Sequence, residues 1–410
     1  PKRKQMSPWK RNRRILFGVT GGIAAYKAPD ILRGWRKEGC EVDVILSRSA
    51  EEFVSPLVLS TLTGRKVWRE NDFLSAEEGW KIPHITLTER AEVFVIAPCT
   101  ANGLRICAQG DGSTLLGAAM LANRNPMVIF PAMNSNMLQN PAVRANIDTI
   151  RTMGHIVVDP DSGMLACGYE GKGRLPDNSV IYEHVWHALS PKKDLSGMRV
   201  MVTAGPTHEY IDPVRYISNP SSGRMGYAIA KAAWYRGADV TLVSGPVSIQ
   251  RPEGVRVIDV VSADQMYEAC IREAPSMDII IKAAAVGDFR AEEEMKQKLK
   301  RRDGEPLTVT FVQNRDIAAE LGRMKREGQL LIGFAAETQD LIANAQKKMI
   351  AKNLDMIACN DVLANGAGFA SDTNTLMIMT KGGSEVEFSG TKDDVADTLL
   401  DAVIKKKNKE

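Results

Sequence analysis

The chain has 410 residues, more than one hydrophobic core usually organises, so two domains of roughly 200 residues each are expected. Its 44% hydrophobic and 25% charged residues are typical of a globular protein, and no apolar run approaches the ~20 residues that span a bilayer, so membrane insertion is not expected. The formal net charge of +3 is small for this length and argues against extensive nucleic-acid binding.

The most basic segment is at the N-terminus, where the sequence reads PKRKQMSPWKRNRR. It lacks the apolar stretch of a signal peptide, so residues 1–13 are predicted to be a basic disordered tail. The cysteines contain no Cys-x-x-Cys pair and no histidine at metal-ligand spacing, which argues against a zinc site. Scattered thiols favour a reducing, cytoplasmic location. They are Cys40, Cys99, Cys107, Cys167, Cys270 and Cys359.

Residues 14–190 alternate short apolar runs with helical stretches, the runs being ILFGVT, VDVIL, VFVIAP and MVIFPA. Residues 191–197 are polar and contain Pro191 and Gly197, and are predicted to form a linker. The alternation of apolar runs and helical stretches in residues 14–190 predicts a doubly wound parallel sheet.

A second series occupies residues 198–410, with the apolar runs RVMVTAG, ADVTLVSG, VRVIDV, DIIIKAAAV, LLIGFAAE and DMIACND. TLMIMT and EVEFSG flank KGGS, a hairpin pattern, and an amphipathic helix is predicted from about Val395 to Ile404. The predicted fold class is therefore α/β, with two tandem Rossmann-like domains of the flavodoxin-like, doubly wound, three-layer kind.

Three segments of the first domain follow predicted strands, where parallel sheets bind ligands. GVTGGIAAYK places a glycine turn before a helix, a suitable position for a phosphate, although a sharp turn alone would also explain Gly21 and Gly22. The Gly-x-Gly-x-x-Gly spacing of dinucleotide-binding proteins is absent. APCTAN and PAMNSNM follow the two later strands.

Together with the Pro-His pair at His84 and the segment SGMLACGYEGKGR, these motifs resemble the flavin-containing cysteine decarboxylases, in particular the phosphopantothenoylcysteine decarboxylase branch. The resemblance implies FMN as cofactor, an active-site histidine at His84 and a carboxylate-holding amide at Asn134. His84 is expected just ahead of an extended stretch, ITLTER. The residues implied to line the flavin are Gly21, Gly22, Ile23, Ser47, Pro98, Thr100, Ala101, Asn102 and Met133.

The chemistry of a cysteine carboxyamide agrees with a flavin. Its carboxylate leaves as carbon dioxide only if the remaining electrons have a sink, and oxidation of the carbon–sulfur unit provides one. A proton donor must then help to saturate the product. Cys167 lies among Gly163, Gly168, Gly171 and Gly173, which would let its segment fold over the substrate and exclude water. Cys167 is the predicted donor.

The second domain begins with RVMVTAGPTHEYIDPVRYISNPSSGRMG, a strand followed by a long loop that enters a helix at SSGRMG. No Walker lysine is present, but a helix start with two serine hydroxyls and unpaired N–H groups suits a triphosphate. A serine N-cap alone would explain either serine. The whole string, with AAAVGDFR, KLK, GFAAET and KNLDMIACND, resembles the phosphopantothenate-cysteine ligase family.

This second resemblance implies that CTP activates a carboxylate as an acyl-cytidylate, which cysteine then attacks. Asn219 would hold the acyl intermediate, and Lys298 would neutralise developing phosphate charge, although Lys296 and Lys300 compete for that role. Mg²⁺ or Mn²⁺ would accompany CTP, with no protein ligand assigned. The residues implied to bind CTP are Ser221, Ser222, Gly223, Ala284, Asp288, Lys298, Phe334, Lys348 and Lys352.

Two other functions compete with this interpretation. A two-domain NAD(P)-dependent oxidoreductase should show the missing glycine fingerprint, and a nucleic-acid-binding flavoprotein should show a stronger positive charge. The expected partners are therefore small molecules, namely 4'-phosphopantothenate, cysteine and CTP, with no nucleic acid and no membrane. The resemblance also implies a homo-oligomer, a dodecamer of trimeric decarboxylase units with dimeric ligase domains.

Overall fold

A computed structural model describes residues 8–164, 168–300, 307–337, 341–361, 373–381 and 385–408. Contacts between residues divide the chain into two compact units, one formed by Pro8–Pro191 and one that begins at Lys192. None of the helices in these described ranges has the length and apolar character needed to cross a bilayer.

The N-terminal unit is built on a six-stranded sheet whose strands are all parallel. Each central strand is a nearly continuous apolar run because helices cover both faces, and all of Val93–Cys99 is buried. The strands are β1 (Arg14–Val19), β2 (Glu41–Leu46), β3 (Val67–Trp68), β4 (Val93–Cys99), β5 (Met127–Pro131) and β6 (Ile156–Val157), in the spatial order β3-β2-β1-β4-β5-β6. A separate antiparallel pair, β7 (Asp161–Met164) and β8 (Glu170–Arg174), follows them.

Helices pack on both faces of this sheet. Leu16, Phe94 and Ile129 belong to the apolar cluster on the face of α4, α5, α6 and α8, whereas Phe17 meets Trp35 of α1 edge to face on the other side, with ring centroids 5.2 Å apart. The helices are α1 (Ala28–Lys37), α2 (Pro56–Thr63), α3 (Glu70–Phe73), α4 (Pro83–Arg90), α5 (Ala101–Gln109), α6 (Leu115–Ala122), α7 (Ser135–Gln139), α8 (Pro141–Thr152) and α9 (Asn178–Leu189).

The second unit repeats the same plan with a larger sheet. Counted across the sheet, the first six strands are parallel to one another. The seventh and eighth strands each pair antiparallel with the strand before them. The strands are β9 (Arg199–Ala204), β12 (Asp239–Ser244), β13 (Val255–Asp259), β14 (Ile279–Lys282), β17 (Leu330–Glu337), β18 (Met356–Asp361), β19 (Thr373–Thr380) and β20 (Glu385–Thr391), in the order β13-β12-β9-β14-β17-β18-β19-β20. Two small antiparallel pairs lie outside this sheet: β10 (Glu209–Tyr210) with β11 (Tyr216–Ile217), and β15 (Phe289–Ala291) with β16 (Phe311–Gln313).

Two helices of this unit pack together on one face of the sheet, and three cover the other face around Met201, Ile280 and Leu331. The pair is α10 (Arg224–Tyr235) with α14 (Lys392–Lys407), and the other three are α11 (Ala263–Glu273), α12 (Ile317–Met324) and α13 (Leu341–Ala351). The predicted fold class is confirmed, as are the β19–β20 hairpin and the C-terminal helix.

The N-terminal segment differs from its prediction. Residues 1–7 lie outside the described residues, but Pro8–Lys10 form a 3₁₀ helix rather than part of a disordered tail. Trp9 meets Trp186 edge to face, with centroids 6.3 Å apart, and Arg13 pairs with Glu92 at 2.8 Å. These long-range contacts order a segment whose local composition indicates only a solvated charge cluster.

The stretch after His84 was predicted to be extended and is helical. Pro83 occupies the first turn, where its fixed φ suits a helix, and the Thr88 hydroxyl donates to the His84 carbonyl at 2.8 Å. Alternating Ile-Thr-Leu-Thr favours a strand locally. Burial of Leu87 and Thr88, where α4 packs on α6, overrides that preference.

The predicted linker at residues 191–197 also differs, because most of it belongs to the second unit. Leu195 is fully buried, and Asp194 accepts a 2.8 Å hydrogen bond from Nε of Arg236. Arg236 is itself buried and donates through Nη1 to Asp401 at 2.8 Å. Apolar contact and ion pairing therefore place the start of this unit at Lys192 rather than at residue 198.

We expect Asp194→Asn to lower the free energy of unfolding of the second unit by about 2 kcal/mol, because it weakens the pairing of a buried guanidinium. Burial raises the pKa of Asp194, but the hydrogen bond and charge of Arg236 outweigh burial and hold that pKa below its ordinary value. The stabilisation should therefore persist above the ordinary pKa and disappear as the pH falls through the lowered one. Urea unfolding would measure it. The matched control is Lys192→Ala, because Lys192 is an exposed partner of Asp401 and its loss should cost about 0.5 kcal/mol or less. If both variants lowered the free energy of unfolding equally, the assignment of Asp194 to the second unit would be contradicted.

Candidate functional site

The first candidate site is the crevice where β1 and β4 lie side by side and their connections diverge to opposite faces of the sheet. Thr20 joins the two strand ends, since its hydroxyl accepts from the Thr100 N–H at 2.8 Å and donates to the Pro98 carbonyl at 2.9 Å. Pro98 and Thr100, both predicted to line a flavin, therefore lie beside the turn that follows β1.

Gly21 leaves no space for a side chain in that turn, and space beside Gly22 is limited. A Cβ on Gly21 would lie 2.3 Å from Oγ of Ser49, and one on Gly22 would lie 3.3 Å from the Thr100 side chain. The Ser47 N–H donates to the Val19 carbonyl at 3.0 Å, so the end of β2 reaches the same place. The fold thus brings Gly21, Gly22, Ser47 and Thr100 to one edge of the sheet.

The other predicted flavin residues lie along the same edge. Ile23 is exposed and begins a 3₁₀ helix after the turn. Ala101 and Asn102 form the first turn of α5, which Thr100 caps by accepting from the Gly103 N–H at 3.3 Å. Met133 follows β5 and packs against the apolar cluster.

Asn134 lies where the β7–β8 hairpin meets the loop after β5. Its Nδ2 donates to the Tyr169 hydroxyl at 3.1 Å, and the Met133 N–H donates to the Gly173 carbonyl at 3.0 Å. A Cβ on Gly173 would lie 2.0 Å from the Met133 carbonyl oxygen, so this docking requires glycine. The segment predicted to be a glycine-rich loop is thus largely a hairpin, because its flanks pair as antiparallel strands. Cys167 lies outside the described residues.

His84 is a predicted catalytic residue, but none of the described hydrogen bonds or ring contacts of its side chain reaches this crevice. Its ring meets Phe73 edge to face with centroids 5.4 Å apart. Within the described residues its buried Nδ1 has no hydrogen-bond partner, and no hydrogen bond or ring contact joins its side chain to Thr100 or Asn134.

The described cysteines are poor candidates for proton transfer near neutral pH. All of them are buried, and none forms a disulfide within the described residues: Cys40, Cys99, Cys107, Cys270 and Cys359. Burial raises the pKa of Cys107 to about 11 and the pKa values of Cys40 and Cys270 to about 12. These three thiols are therefore held away from water and in the neutral form.

The second candidate site surrounds the loop after β14, whose backbone groups are held by side chains of other elements. The Ala284 N–H donates to Oγ1 of Thr203 at 3.1 Å. Asn219 donates through Nδ2 to the Val286 carbonyl at 3.0 Å. Two predicted residues, Asn219 and Ala284, therefore lie on one loop system at the carboxyl end of the sheet.

Two residues that the sequence interpretation missed complete this arrangement. Thr207 accepts from the Gly287 N–H at 2.9 Å, and Asn314 donates through Nδ2 to the Gly287 carbonyl at 2.8 Å. The Asn314 N–H also donates to the Asp288 carbonyl at 2.8 Å, which fixes the backbone of the exposed Asp288. In the sequence, the feature that could have indicated Asn314 is its position shortly before Asp316, the residue that caps α12.

At the start of α10 the backbone passes close to Gly205, the residue that follows β9. Gly223 has φ 72° and lies where a Cβ would be 2.7 Å from Val247 and 3.3 Å from Cα of Gly205. Its N–H donates to Oγ of Ser221 at 3.3 Å, and Ser222 lies between them in the chain. Glycine is therefore required at the position where the resemblance places the nucleotide.

The three candidate lysines 296, 298 and 300 are all exposed. The chain bends at residues 296 and 297, so the three lysines do not share one continuous extended segment. Leu299 is anchored, since its N–H donates to Asp212 at 3.1 Å and its carbonyl accepts from Arg215 at 3.1 Å. Hydrogen bonds from Arg215 hold the pKa of Asp212 well below its usual range, so this anchor is ionised. The backbone beside Lys298 is therefore held while its side chain faces solvent.

The remaining predicted CTP residues are Phe334 on β17, Lys348 in α13 and Lys352 just after α13. Phe334 is partly buried on β17. The Lys352 N–H donates to the Lys348 carbonyl at 3.0 Å, so these lysines lie one helical turn apart. Nζ of Lys352 lies 2.9 Å from Asp316, which caps α12. In the part of the chain that the structure describes, no group of three or more His, Cys, Asp or Glu side chains has an arrangement suited to a metal ion.

Comparison with known protein families matches both units separately. The family described as Flavoprotein matches residues 3–190, and the family described as DNA/pantothenate metabolism flavoprotein C-terminal domain matches residues 195–406. Among solved structures, the C-terminal domain of a coenzyme A biosynthesis bifunctional protein CoaBC is 38% identical, covering 53% of this chain and all of that one, with a TM-score of 0.46. A PPC decarboxylase mutant complexed with pantothenoylaminoethenethiol is 29% identical, covering 43% of this chain and 97% of that one, with a TM-score of 0.38.

Full-length relatives cover nearly the whole chain. The coenzyme A biosynthesis bifunctional protein CoaBC of Vibrio cholerae is 41% identical over 95% of this chain and 97% of its own length. Its counterpart in Bacillus subtilis is 44% identical over 92% of each chain, and that of Escherichia coli K12 is 39% identical over 96% and 97%. The chain therefore belongs to the CoaBC family of bifunctional coenzyme A biosynthesis enzymes, in which a flavoprotein decarboxylase is joined to a ligase.

Proposed function

We propose that the chain ligates cysteine to 4'-phosphopantothenate with CTP and then decarboxylates the product, 4'-phosphopantothenoylcysteine, to 4'-phosphopantetheine with FMN. The observation that carries this proposal is the common placement of the motif residues in the two units. In each unit some of them lie at the carboxyl ends of neighbouring parallel strands: Thr20 bonds Thr100 in the first, and Asn219 bonds the 284–288 loop in the second.

We expect FMN to bind in the first crevice. Its phosphate would lie near Gly22 and Ser47, and Thr100, Ala101, Asn102 and Met133 would lie beside the ring system. Bound FMN would supply the oxidation that gives the departing carboxylate an electron sink.

The chain's own residues would orient the substrate and move protons. Asn134, at the hairpin junction, would hold the substrate carboxylate through its side-chain amide. His84 would act in the decarboxylation step, and its unpartnered ring nitrogen among the described residues leaves a hydrogen-bonding position available. Cys167 would deliver the final proton to the product.

In the second unit, CTP would convert the carboxylate into an acyl-cytidylate that cysteine attacks. Ser221, Ser222 and Gly223 would contact phosphates at the start of α10, where N–H groups and the helix dipole favour anions. Asn219 would hold the acyl intermediate, and Lys298 would stabilise the charge that develops on the phosphate. The other proposed CTP contacts are Ala284, Asp288, Phe334, Lys348 and Lys352. Mg²⁺ or Mn²⁺ would be held mainly by phosphate oxygens.

We further propose that residues 14–190 and 198–410 carry the two activities separately, with residues 192–197 needed to complete the second unit. The homo-oligomer would be a dodecamer of trimeric decarboxylase units with dimeric ligase domains, acting in the cytoplasm. Small molecules, rather than nucleic acid or membrane, would be its partners.

The test separates the units at the boundary that the contacts define. We expect a fragment of residues 8–191 to purify yellow with bound FMN and to release carbon dioxide from 4'-phosphopantothenoylcysteine. A fragment of residues 192–410 should join cysteine to 4'-phosphopantothenate with CTP, measured as pyrophosphate release and product mass. The intact chain is the control for both rates. A folded second fragment that is inactive with every nucleoside triphosphate would contradict the ligase proposal.

A further inference from the structure

A network of side-chain hydrogen bonds lies on α5, centred on an arginine that the motifs do not identify. Nε of Arg105 donates to Oδ1 of Asn102 at 3.2 Å, and Nη1 donates to Oε1 of Gln109 at 3.0 Å. Nη2 pairs with the carboxylate of Asp111 at 3.1 Å. Asn102 is one of the proposed FMN contacts, so the network connects Arg105 to the candidate flavin site.

The guanidinium group is held at its far end by the loop after α5. The Asp111 carboxylate accepts a hydrogen bond from the Ser113 N–H at 3.0 Å. Hydrogen bonds from Ser113 and from Arg105 hold the pKa of Asp111 below its ordinary value, so this carboxylate is ionised at neutral pH. Because Gln109 and Asp111 bond the two terminal nitrogens, the planar fork of Arg105 presents Nε to Asn102 in one orientation.

This contact determines which end of the Asn102 amide is used. A guanidinium has only donors, so it can bond the Oδ1 end of an amide but not the Nδ2 end. Within the part of the chain that the structure describes, Arg105 is the side chain that bonds Asn102, and no protein group accepts from Nδ2. Asn102 is exposed in the first turn of α5. Its donor end is therefore available to a ligand.

We propose that Arg105 is a positioning residue for the cofactor, which orients the Asn102 amide so that Nδ2 donates a hydrogen bond to an acceptor atom of the flavin ring. This inference rests on the proposed binding of FMN in the first crevice. The carbonyl oxygens and ring nitrogens of a flavin are acceptors, and they become more negative when the flavin is reduced. A donor that is held in place before binding should strengthen FMN binding and favour the reduced flavin.

Titration of FMN-depleted full-length protein with FMN tests this orientation, because flavin fluorescence reports binding without turnover. Arg105→Met removes the donor from Oδ1 and lets the amide rotate. Arg105→Glu places a carboxylate there, which accepts from Nδ2 and turns Oδ1 of Asn102 towards the flavin acceptors. We expect the Kd for FMN to rise about threefold in Arg105→Met and about tenfold in Arg105→Glu, roughly the effect of one hydrogen bond.

The reduction potential of bound FMN is a readout that a merely structural role would not change. In Arg105→Met and Arg105→Glu the potential should shift to a more negative value, because the reduced flavin loses a donor to its added charge. Arg105→Lys keeps a positive charge and donors only, so its affinity and potential should lie closer to wild type than those of Arg105→Met. If Arg105→Glu does not fold, the comparison of the other two variants still decides.

Two control variants separate orientation from charge and from folding. Gln109→Ala removes the Nη1 partner but leaves the bond between Arg105 and Asn102, so FMN affinity and potential should keep their wild-type values. Arg144 is an exposed arginine of α8, which packs on α5, and Arg144→Met removes a positive charge without removing a partner of Asn102. It should also leave both quantities unchanged. The melting temperature of each FMN-free variant monitors folding.

Wild-type affinity and potential in Arg105→Met would overturn this role of Arg105 and leave FMN binding intact. An equal loss in Arg105→Met and Arg144→Met would also overturn it, because charge alone would then explain the effect. Wild type that does not bind FMN would overturn this inference and the proposed decarboxylase function together.

Discussion

Lys298→Gln is expected to lower the rate of acyl-cytidylate formation at least a hundredfold, about 3 kcal/mol in activation free energy, with little change in CTP affinity. Lys298 is exposed, so its charge contributes little to the resting fold. Its backbone, however, lies next to Leu299, which Asp212 and Arg215 anchor. A fixed backbone with an exposed ammonium group suits a contact made mainly in the transition state. The measurement is pyrophosphate release from CTP and 4'-phosphopantothenate.

The neighbouring lysines are the matched controls for this prediction. Lys296 and Lys300 are also exposed, so Lys296→Gln and Lys300→Gln remove the same charge from nearby positions. Both variants should retain most of the activity. If either loses a hundredfold while Lys298→Gln remains active, the assignment within this basic run is wrong. The bend at residues 296 and 297 makes the three positions inequivalent, so a clear ranking is expected.

Cys167→Ser is expected to block the final step of the decarboxylase reaction, because serine is a far weaker proton donor than a thiol at neutral pH. The segment that follows this residue docks on the Asn134 loop through Tyr169 and Gly173. The variant should release carbon dioxide once per site and then stop, with the flavin absorbance remaining bleached. Stopped-flow absorbance after mixing with 4'-phosphopantothenoylcysteine would measure this behaviour.

Cys107→Ala is the control for Cys167→Ser, since this thiol is buried in α5 and burial raises its pKa to about 11. It should turn over repeatedly, with any loss confined to stability. Full conversion to 4'-phosphopantetheine by Cys167→Ser would show that another group supplies the proton.

The fold was predictable because its main signals are local. The run Val93–Cys99 is apolar throughout since helices cover both of its faces, and polar motif residues come directly after such runs. The alternation of strands and helices then predicts that the strand ends meet at one edge. The choice of Thr100, Asn134 and Asn219 as candidate site residues rests instead on the motifs that resemble the two enzyme families.

The local sequence pattern gave a wrong prediction wherever a contact distant in sequence decided the conformation. The ITLTER stretch alternates like a strand, yet burial of Leu87 makes it helical. The basic segment at residues 8–13 is ordered by Trp186 and Glu92, and Asp194 belongs to the second unit because Arg236 is buried beside it. In each case the stabilising partner is dozens of residues away and leaves no periodic signal.

The sequence alone therefore determined the fold class, the family and the segments that carry the motifs, since these depend on the order of apolar runs and on residue types within short strings. Only the tertiary structure decided which polar groups meet. Thr20 bonds Thr100 across 80 positions, and Asn314 secures the Asp288 loop. Such pairings depend on chain crossings in space, which composition and periodicity do not encode.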